Sequence, residues 1–340
     1  MAKELEYRGA LIDQPKPEDW IAGSDKSIPY KVVCLDWTPY LPRPERQYNR
    51  YMDTMGCVSF SALNVIETVL NYMLAMGLIP EHLVERHTAE GYIVDGKYEF
   101  SDRWVVVLSG TTKKGNYGSA VWDSIRNDGL LPEKDFPFDD NLTWEQYYDK
   151  SYVTDEMRAK AKDFCHKEDG DFIVEYERLL LGMTPENIDI INKHRKQAPV
   201  QVFTKVCPGW NTDTPVKACD PYPTGHATMI YDVSDYVYDF DHYEPFAKKL
   251  ALDYGIPFAY KGIIRLNDNK MEKIRLWIEG MYDEFGWDKS QMWTTARQNA
   301  INTDPKKEGK DFAKAIRGHI TDSAKKTLIQ QILDIFKYKK

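Results

Sequence analysis

The stretch DTMGCVSFSALNVIE, Asp53 to Glu67, sets a cysteine directly behind a glycine where a loop passes into a long apolar segment. From Val58 to Met76 the apolar residues Phe60, Leu63, Ile66, Leu70, Met73 and Leu74 recur at spacings of three and four, Val65 and Val69 widen the stripe, and Gly77 follows it. This spacing predicts a helix buried on more than one side. Cys57 then stands at a helix N-terminus, where unpaired backbone N–H groups and the helix dipole favour a thiolate. A core cysteine is more often an inert small hydrophobe. The chemical reading therefore requires a base, a group that orients the base, and a cleft.

His226 is the candidate base. It lies in PTGHATMIYDV, at the junction of a Pro- and Gly-containing loop with an apolar strand. Asp241, in YDFDHYEPF, stands at the end of the adjoining predicted strand, where its carboxylate can accept from the second imidazole nitrogen. A thiol on a helix and an imidazole on a sheet place the site between two lobes. His242 competes for the role of base, but strand alternation aims it away from a site that receives Asp241. His82, His87, His166 and His194 sit in polar helical or loop contexts and read as surface residues.

The 340 residues carry a net charge of −8 and 13% aromatics, with 22 Tyr and 9 Trp. That composition suits a packed protein with peptide-like or carbohydrate-like grooves and gives no electrostatic case for nucleic acid or an anionic membrane. No apolar run of about 18 residues is expected to span a membrane, and MAKELEYRGALIDQPKPEDW lacks a signal-like apolar core, so a cytoplasmic protein is expected. Five cysteines do not suggest a disulfide framework, although Cys207 and Cys219 could close a loop in an oxidising compartment. No short Cys-Cys or His-His spacing points to a metal, and no cofactor is expected.

Residues 1–27, with Pro15, Pro17 and Gly23, read as an irregular arm. YKVVCLDW predicts a short strand. SDRWVVVLSG, capped by Ser-Asp, predicts a helix, as does the segment from Ser119 to Asn127 before Gly129. Residues 143–197 alternate helical patterns, DEMRAKAKDFC and ENIDIINKHRKQ, with polar loops. PVQVFTKV, HATMIYDVS, YVYDFDHY and YKGIIRL predict strands. Helices first and strands later imply an α+β fold of two lobes. From 267 to 340, MEKIRLWIEGMYDEF and SAKKTLIQQILDIFKY predict amphipathic helices, either a packing extension or a docking element for a protein partner.

In order, over most of residues 28–266, these stretches resemble papain-like cysteine peptidases. IPYKVVCLDW is similar to the family's mature N-terminal segment, and GCVSFSALNVIE to its nucleophile helix, with Glu67 as the buried helix glutamate. FSDRWVVVLSG and KGNYGSAVWDSIRNDGLLPEKDFPF resemble the next two segments. The second of these lines the substrate cleft in the family, so the resemblance implies substrate contacts from Gly115, Asn116, Tyr117 and Gly118. INKHRKQAPVQVFTKV and GHATMIYDV are similar to the segments that open the β lobe and carry the base, and FDHYEPF falls where the family has Asn-Ser-Trp-Gly.

The departures are Val58 for an aromatic, Ala198 for a glycine, Thr54 for a disulfide cysteine, Asp241 for the orienting asparagine and Tyr243 for the shielding tryptophan. The oxyanion glutamine's position holds Tyr51, and Gln47 can serve only if the inserted residues bulge out. The resemblance implies a cysteine endopeptidase with Cys57 as nucleophile, His226 as base and Asp241 as third residue, acting on a polypeptide. Related readings are a hydrolase of peptidoglycan peptides and an inactive structural or virion binding protein on the same scaffold. The short arm implies an enzyme made without the family's inhibitory proregion. It also points to a bacterial or bacteriophage source, with a host cytoplasm or a virion as location.

Overall fold

The helix read from the opening stretch spans Cys57–Ala75 (α1) and buries sixteen of its residues, from Cys57 through Asn71 and Met73. It is long and apolar enough to cross a membrane, contrary to the expectation that no such segment exists, yet it is a buried core helix of the protein. Full burial of a Leu or Ile side chain contributes about 1.5–3 kcal/mol, so α1 is the main apolar support of this lobe. The computed structural model describes residues 9–11, 13, 32–179, 187–219 and 225–267. The chain divides into units of Met1–Asn267 and Asp268–Lys340; the helices expected in the second lie outside the described residues.

Around α1 stand α2 (Glu81–Glu90), α3 (Asp102–Leu108) and α4 (Gly118–Asp128). Ser101 caps α3 by accepting from the Trp104 N–H, so the Ser-Asp start outweighs three consecutive valines. Gly129, at φ +78°, ends α4. Further on are α5 (Asp155–Phe164) and α6 (Asn187–Arg195), both within segments read as helical.

The second lobe is an antiparallel six-stranded sheet. Its strands are β1 (Phe172–Leu179), β2 (Val200–Thr204), β3 (His226–Val233), β4 (Val237–Phe240), β5 (Ala247–Leu250) and β6 (Phe258–Leu266). They lie in the order β1-β6-β2-β3-β4-β5, with Thr204 opposite His226 and Met229 opposite Phe240. The architecture is α+β, a helical lobe against a sheet lobe.

A buried polar clamp joins the lobes at the head of α1. Gln201 of β2 donates to the Val58 carbonyl and to Ser61 Oγ, each at 2.8 Å, and accepts from the Trp122 indole at 2.8 Å. Deeper in, Thr68 Oγ1 lies 3.7 Å from the sulfur of Met229 on β3. These contacts fix α1 against β2 and β3.

Three readings are corrected. Val32–Trp37 of YKVVCLDW is irregular: Cys34 N–H donates to the Lys196 carbonyl and the Trp37 indole to the Arg195 carbonyl, and no ladder forms among these described residues. Phe172–Leu179 is a strand within the region read as helices and loops. His87 is fully buried rather than on the surface, between Tyr98 Oη at 2.9 Å and Asp171 Oδ2 at 3.1 Å.

Candidate active site

Gly56 precedes Cys57 because the backbone there passes close to its neighbours: a Cβ on Gly56 would lie 2.7 Å from Val106 Cγ2 and 2.9 Å from Thr54 Oγ1. Met55, just before it, adopts φ +55°, a left-handed conformation that side chains disfavour. Its N–H is held by Asp53 Oδ1 at 2.8 Å. The loop thus delivers Cys57 as the first residue of α1, where the backbone N–H has no intrahelical acceptor.

The six residues after Gln47 are folded out of the way. Tyr48 and Asp53 form an antiparallel bridge, and the Thr54 N–H donates to the Gln47 carbonyl at 3.0 Å. Tyr51 sits at the exposed tip. The insertion therefore bulges outward, as a role for Gln47 requires, and Gln47 is buried beside Thr54 with its amide donating to Asp53 Oδ1 at 2.8 Å. Tyr243 donates to Asp53 Oδ2 and stacks on Tyr48 at 5.3 Å.

His226, the first residue of β3, is fully buried, with Nε2 2.7 Å from Asp241 Oδ1. That bond leaves the opposite ring edge, with Nδ1, for another partner. Asp241 follows the end of β4 and is also fully buried. Burial pushes its carboxyl pKa up, but the charge and hydrogen bond of His226, with the charges of His242 and Lys248, hold it well below the usual carboxylate range. Lys248, on β5, reaches Asp241 Oδ2 at 3.2 Å and donates to the Tyr243 carbonyl at 2.7 Å and to that of Pro245.

Lys248 and Trp210 escaped the sequence reading. Trp210 donates its indole N–H to Asp241 Oδ2 at 2.7 Å, with its ring edge-on to His226 at 5.8 Å. It lies in a loop closed by a Cys207–Cys219 disulfide. A lone Trp in an aperiodic loop carries no pattern signal, although the two cysteines flanking it were the clue. Tyr243 does lie against His226, at 5.6 Å, so the imidazole is enclosed by both residues.

His242 does not turn away from the site. The strand ends at Phe240, so alternation no longer applies, and His242 packs 5.5 Å from His226 and 5.4 Å from Phe60 of α1. Its Nε2 bonds to the Ala227 carbonyl at 3.0 Å. His226, Asp241 and His242 offer ligand atoms within 4.8 Å of one another, a spacing that a metal ion could use. The Nε2 atoms are already engaged, by Asp241 and by Ala227, which makes a hydrogen-bonded cluster the simpler description.

The wall read as substrate-binding is covered by the chain itself. Ala10–Leu11 pairs in parallel with Asn116–Tyr117, and the Asn116 N–H donates to the Gly9 carbonyl at 2.8 Å. The Ala10 N–H reaches the carbonyl of Gly225, the residue before His226, at 3.5 Å. Gly9 and Gly115 have positive φ and approach so closely that a Cβ on Gly115 would lie 1.7 Å from the Gly9 carbonyl oxygen. A Cβ on Gly9 would lie 2.2 Å from the carbonyl of Met55, two residues before Cys57. Cys57 and His226 have no exposed surface in this arrangement. Within residues 1–27, read as an irregular arm, residues 9–11 run along this wall.

A helix that begins with Cys57, packed on an antiparallel sheet that carries a buried His226–Asp241 pair, has the papain-like fold. Xylellain, a cysteine protease from Xylella fastidiosa, is similar with a TM-score of 0.50 and 14% identity, over 77% of this chain and 97% of its own. The bromelain protease of Ananas comosus, solved with the E64 inhibitor, matches with a TM-score of 0.43 and 13% identity over 68% of this chain and 98% of its own. The Amb a 11 cysteine protease of ragweed, in its proform, matches with a TM-score of 0.42 and 15% identity over 68% of this chain, which spans 66% of that protein. No family model matches the chain, and no curated protein matches it in sequence.

Proposed function

We propose that the protein is a cysteine endopeptidase in which Cys57 and His226 form a thiolate–imidazolium pair. The observation that carries this reading is the buried 2.7 Å bond from His226 Nε2 to Asp241, in a papain-like fold whose α1 begins with Cys57. Asp241 fixes the ring so that Nδ1 serves the thiol, and its negative charge favours the imidazolium. The thiolate attacks a peptide carbonyl carbon, and the oxyanion formed is held by the Cys57 N–H and the Gln47 amide. Collapse breaks the C–N bond as His226 gives its proton to the leaving amine, which leaves a thioester. Water, deprotonated by His226, then hydrolyses the thioester to acid and thiol.

Cleavage of a proteome-derived peptide library, read by mass spectrometry, tests the proposal. Products with the wild type and none with Cys57→Ala support it. Equal product patterns from both, or none from either, count against it and favour a binding role. Release of peptides from purified sacculi with casein left intact would move the substrate to cell-wall peptides.

A further inference from the structure

Asp13 is held more firmly than an incidental arm residue needs. Its carboxylate accepts from the Ser119 N–H at 2.8 Å, from Ser119 Oγ at 2.8 Å and from Tyr260 Oη at 2.8 Å. Arg178 donates to the Asp13 carbonyl at 2.7 Å, with its guanidinium 4.2 Å over the Phe258 ring. Asp13, Ser119, Arg178 and Tyr260 are all buried. The first turn of α4 supplies the N–H and the positive end of its dipole, and buried donors to a carboxylate make strong hydrogen bonds.

The position of this pocket gives it a meaning beyond anchoring. It opens at the end of the same wall, Asn116–Tyr117, along which Gly9–Leu11 runs. That segment lies over the loop before Cys57 and the residue before His226, so whatever enters the cleft must displace it. When the arm leaves, the Ser119 N–H, Ser119 Oγ and Tyr260 Oη lose the carboxylate they all donate to, a costly state in a buried site. An incoming chain that supplies a carboxylate removes that cost.

We infer that Ser119 and Tyr260 form a carboxylate-recognition subsite, with Arg178 holding the adjoining backbone carbonyl, occupied in cis by Asp13 and open to an acidic residue of the polypeptide that replaces the arm. The inference rests on the peptidase reading for why a polypeptide enters the cleft. The pocket itself is tested by binding, without turnover, so failure of either idea is seen separately.

The probe is a fluorescent peptide of residues 8–14, RGALIDQ, read by anisotropy on the full chain. Asp13→Ala, with unchanged circular dichroism, is expected to bind it about 10-fold or more tightly than the wild type, whose pocket is filled. A peptide carrying Asn in place of its Asp, or Tyr260→Phe added to the protein, is expected to weaken that binding about 10-fold. Absence of binding to Asp13→Ala, or equal binding of the Asp and Asn peptides, overturns the assignment. Where Asp13→Ala lowers the folded yield, Ser119→Ala is read instead. It is expected to speed trypsin cleavage after Arg8, where the Gly9–Leu11 segment begins, and an unchanged rate overturns the assignment.

Discussion

Trp210 and Asp241 are joined by a 2.7 Å indole-to-carboxylate hydrogen bond, on the oxygen that His226 does not use. The bond ties the loop containing Trp210 to Asp241, and the Cys207–Cys219 disulfide closes that loop. Trp210→Phe keeps the ring and deletes the donor. It is expected to lower kcat/KM about 10-fold, because a charged hydrogen bond of a positioning group is lost. Steady-state kinetics on a cleaved peptide check this.

Opening the disulfide acts on the same bond from further away. Closing a loop of this separation, 12 residues, contributes about 3 kcal/mol by the chain-entropy account. The double variant Cys207→Ser, Cys219→Ser is therefore expected to melt several degrees lower and to lose activity in the direction of Trp210→Phe. Calorimetry and the same kinetic assay read the two effects.

Charge at Asp241 and Lys248 sets opposite shifts in the pH profile. The groups around His226 are Asp241, His242, Trp210 and Tyr243, with Lys248 behind Asp241. Asp241→Asn removes the charge that favours imidazolium, so the alkaline limb of kcat/KM is expected to move to lower pH while a measurable fraction of activity remains. Asp241→Ala also loses the orienting contact and is expected to fall about 10-fold or more. Lys248→Met removes an opposing positive charge and is expected to move the alkaline limb to higher pH. An unmoved profile in Asp241→Asn would separate Asp241 from the function of His226.

Two buried carboxyls in separate surroundings, Glu133 and Asp239, make stability pH-dependent in the unusual sense. Burial, and then the neighbouring Glu45, push the Glu133 carboxyl up to about 8, and Oε2 is buried without a hydrogen-bond partner among the described residues. Burial and then the Asp241 charge raise Asp239 well above the carboxylate range. A raised folded value means that the folded protein keeps a proton the unfolded chain has released. That contribution is complete below the unfolded value and is lost as pH rises toward the folded one, between about 4.5 and 8 for Glu133. Thermal melts across that window are expected to fall with pH. Glu133→Gln should flatten the fall, and Asp239→Asn should raise Tm at neutral pH.

Sequence pattern reaches as far as local periodicity does. The apolar spacing from Phe60 to Leu74 gave α1, and the Gly-to-strand junction at His226 gave the start of β3. The strand Phe172–Leu179 was hidden because Glu175, Glu177 and Arg178 interrupt its apolar run. Their charges are met only in the fold, Lys261 pairing with Glu177 at 2.6 Å and Arg126 with Glu175 at 3.2 Å. Trp210, Lys248 and Asp13 were invisible for a similar reason: each acts on a residue distant in sequence, across 31, 7 and 106 positions respectively in the pairs with Asp241 and Ser119. His242 was misplaced because alternation was carried past the end of β4.

The most direct test of the Cys57–His226 pair is alkylation at neutral pH, mapped residue by residue. Cys207 and Cys219 are paired, while burial raises the thiol pKa of Cys34 and pushes that of Cys165 up to about 12. Iodoacetamide is expected to modify Cys57 about 10-fold or more faster than Cys34 or Cys165 as the arm opens, and His226→Ala is expected to remove that excess. Uniform slow labelling of the three thiols, unaltered by His226→Ala, would contradict the account.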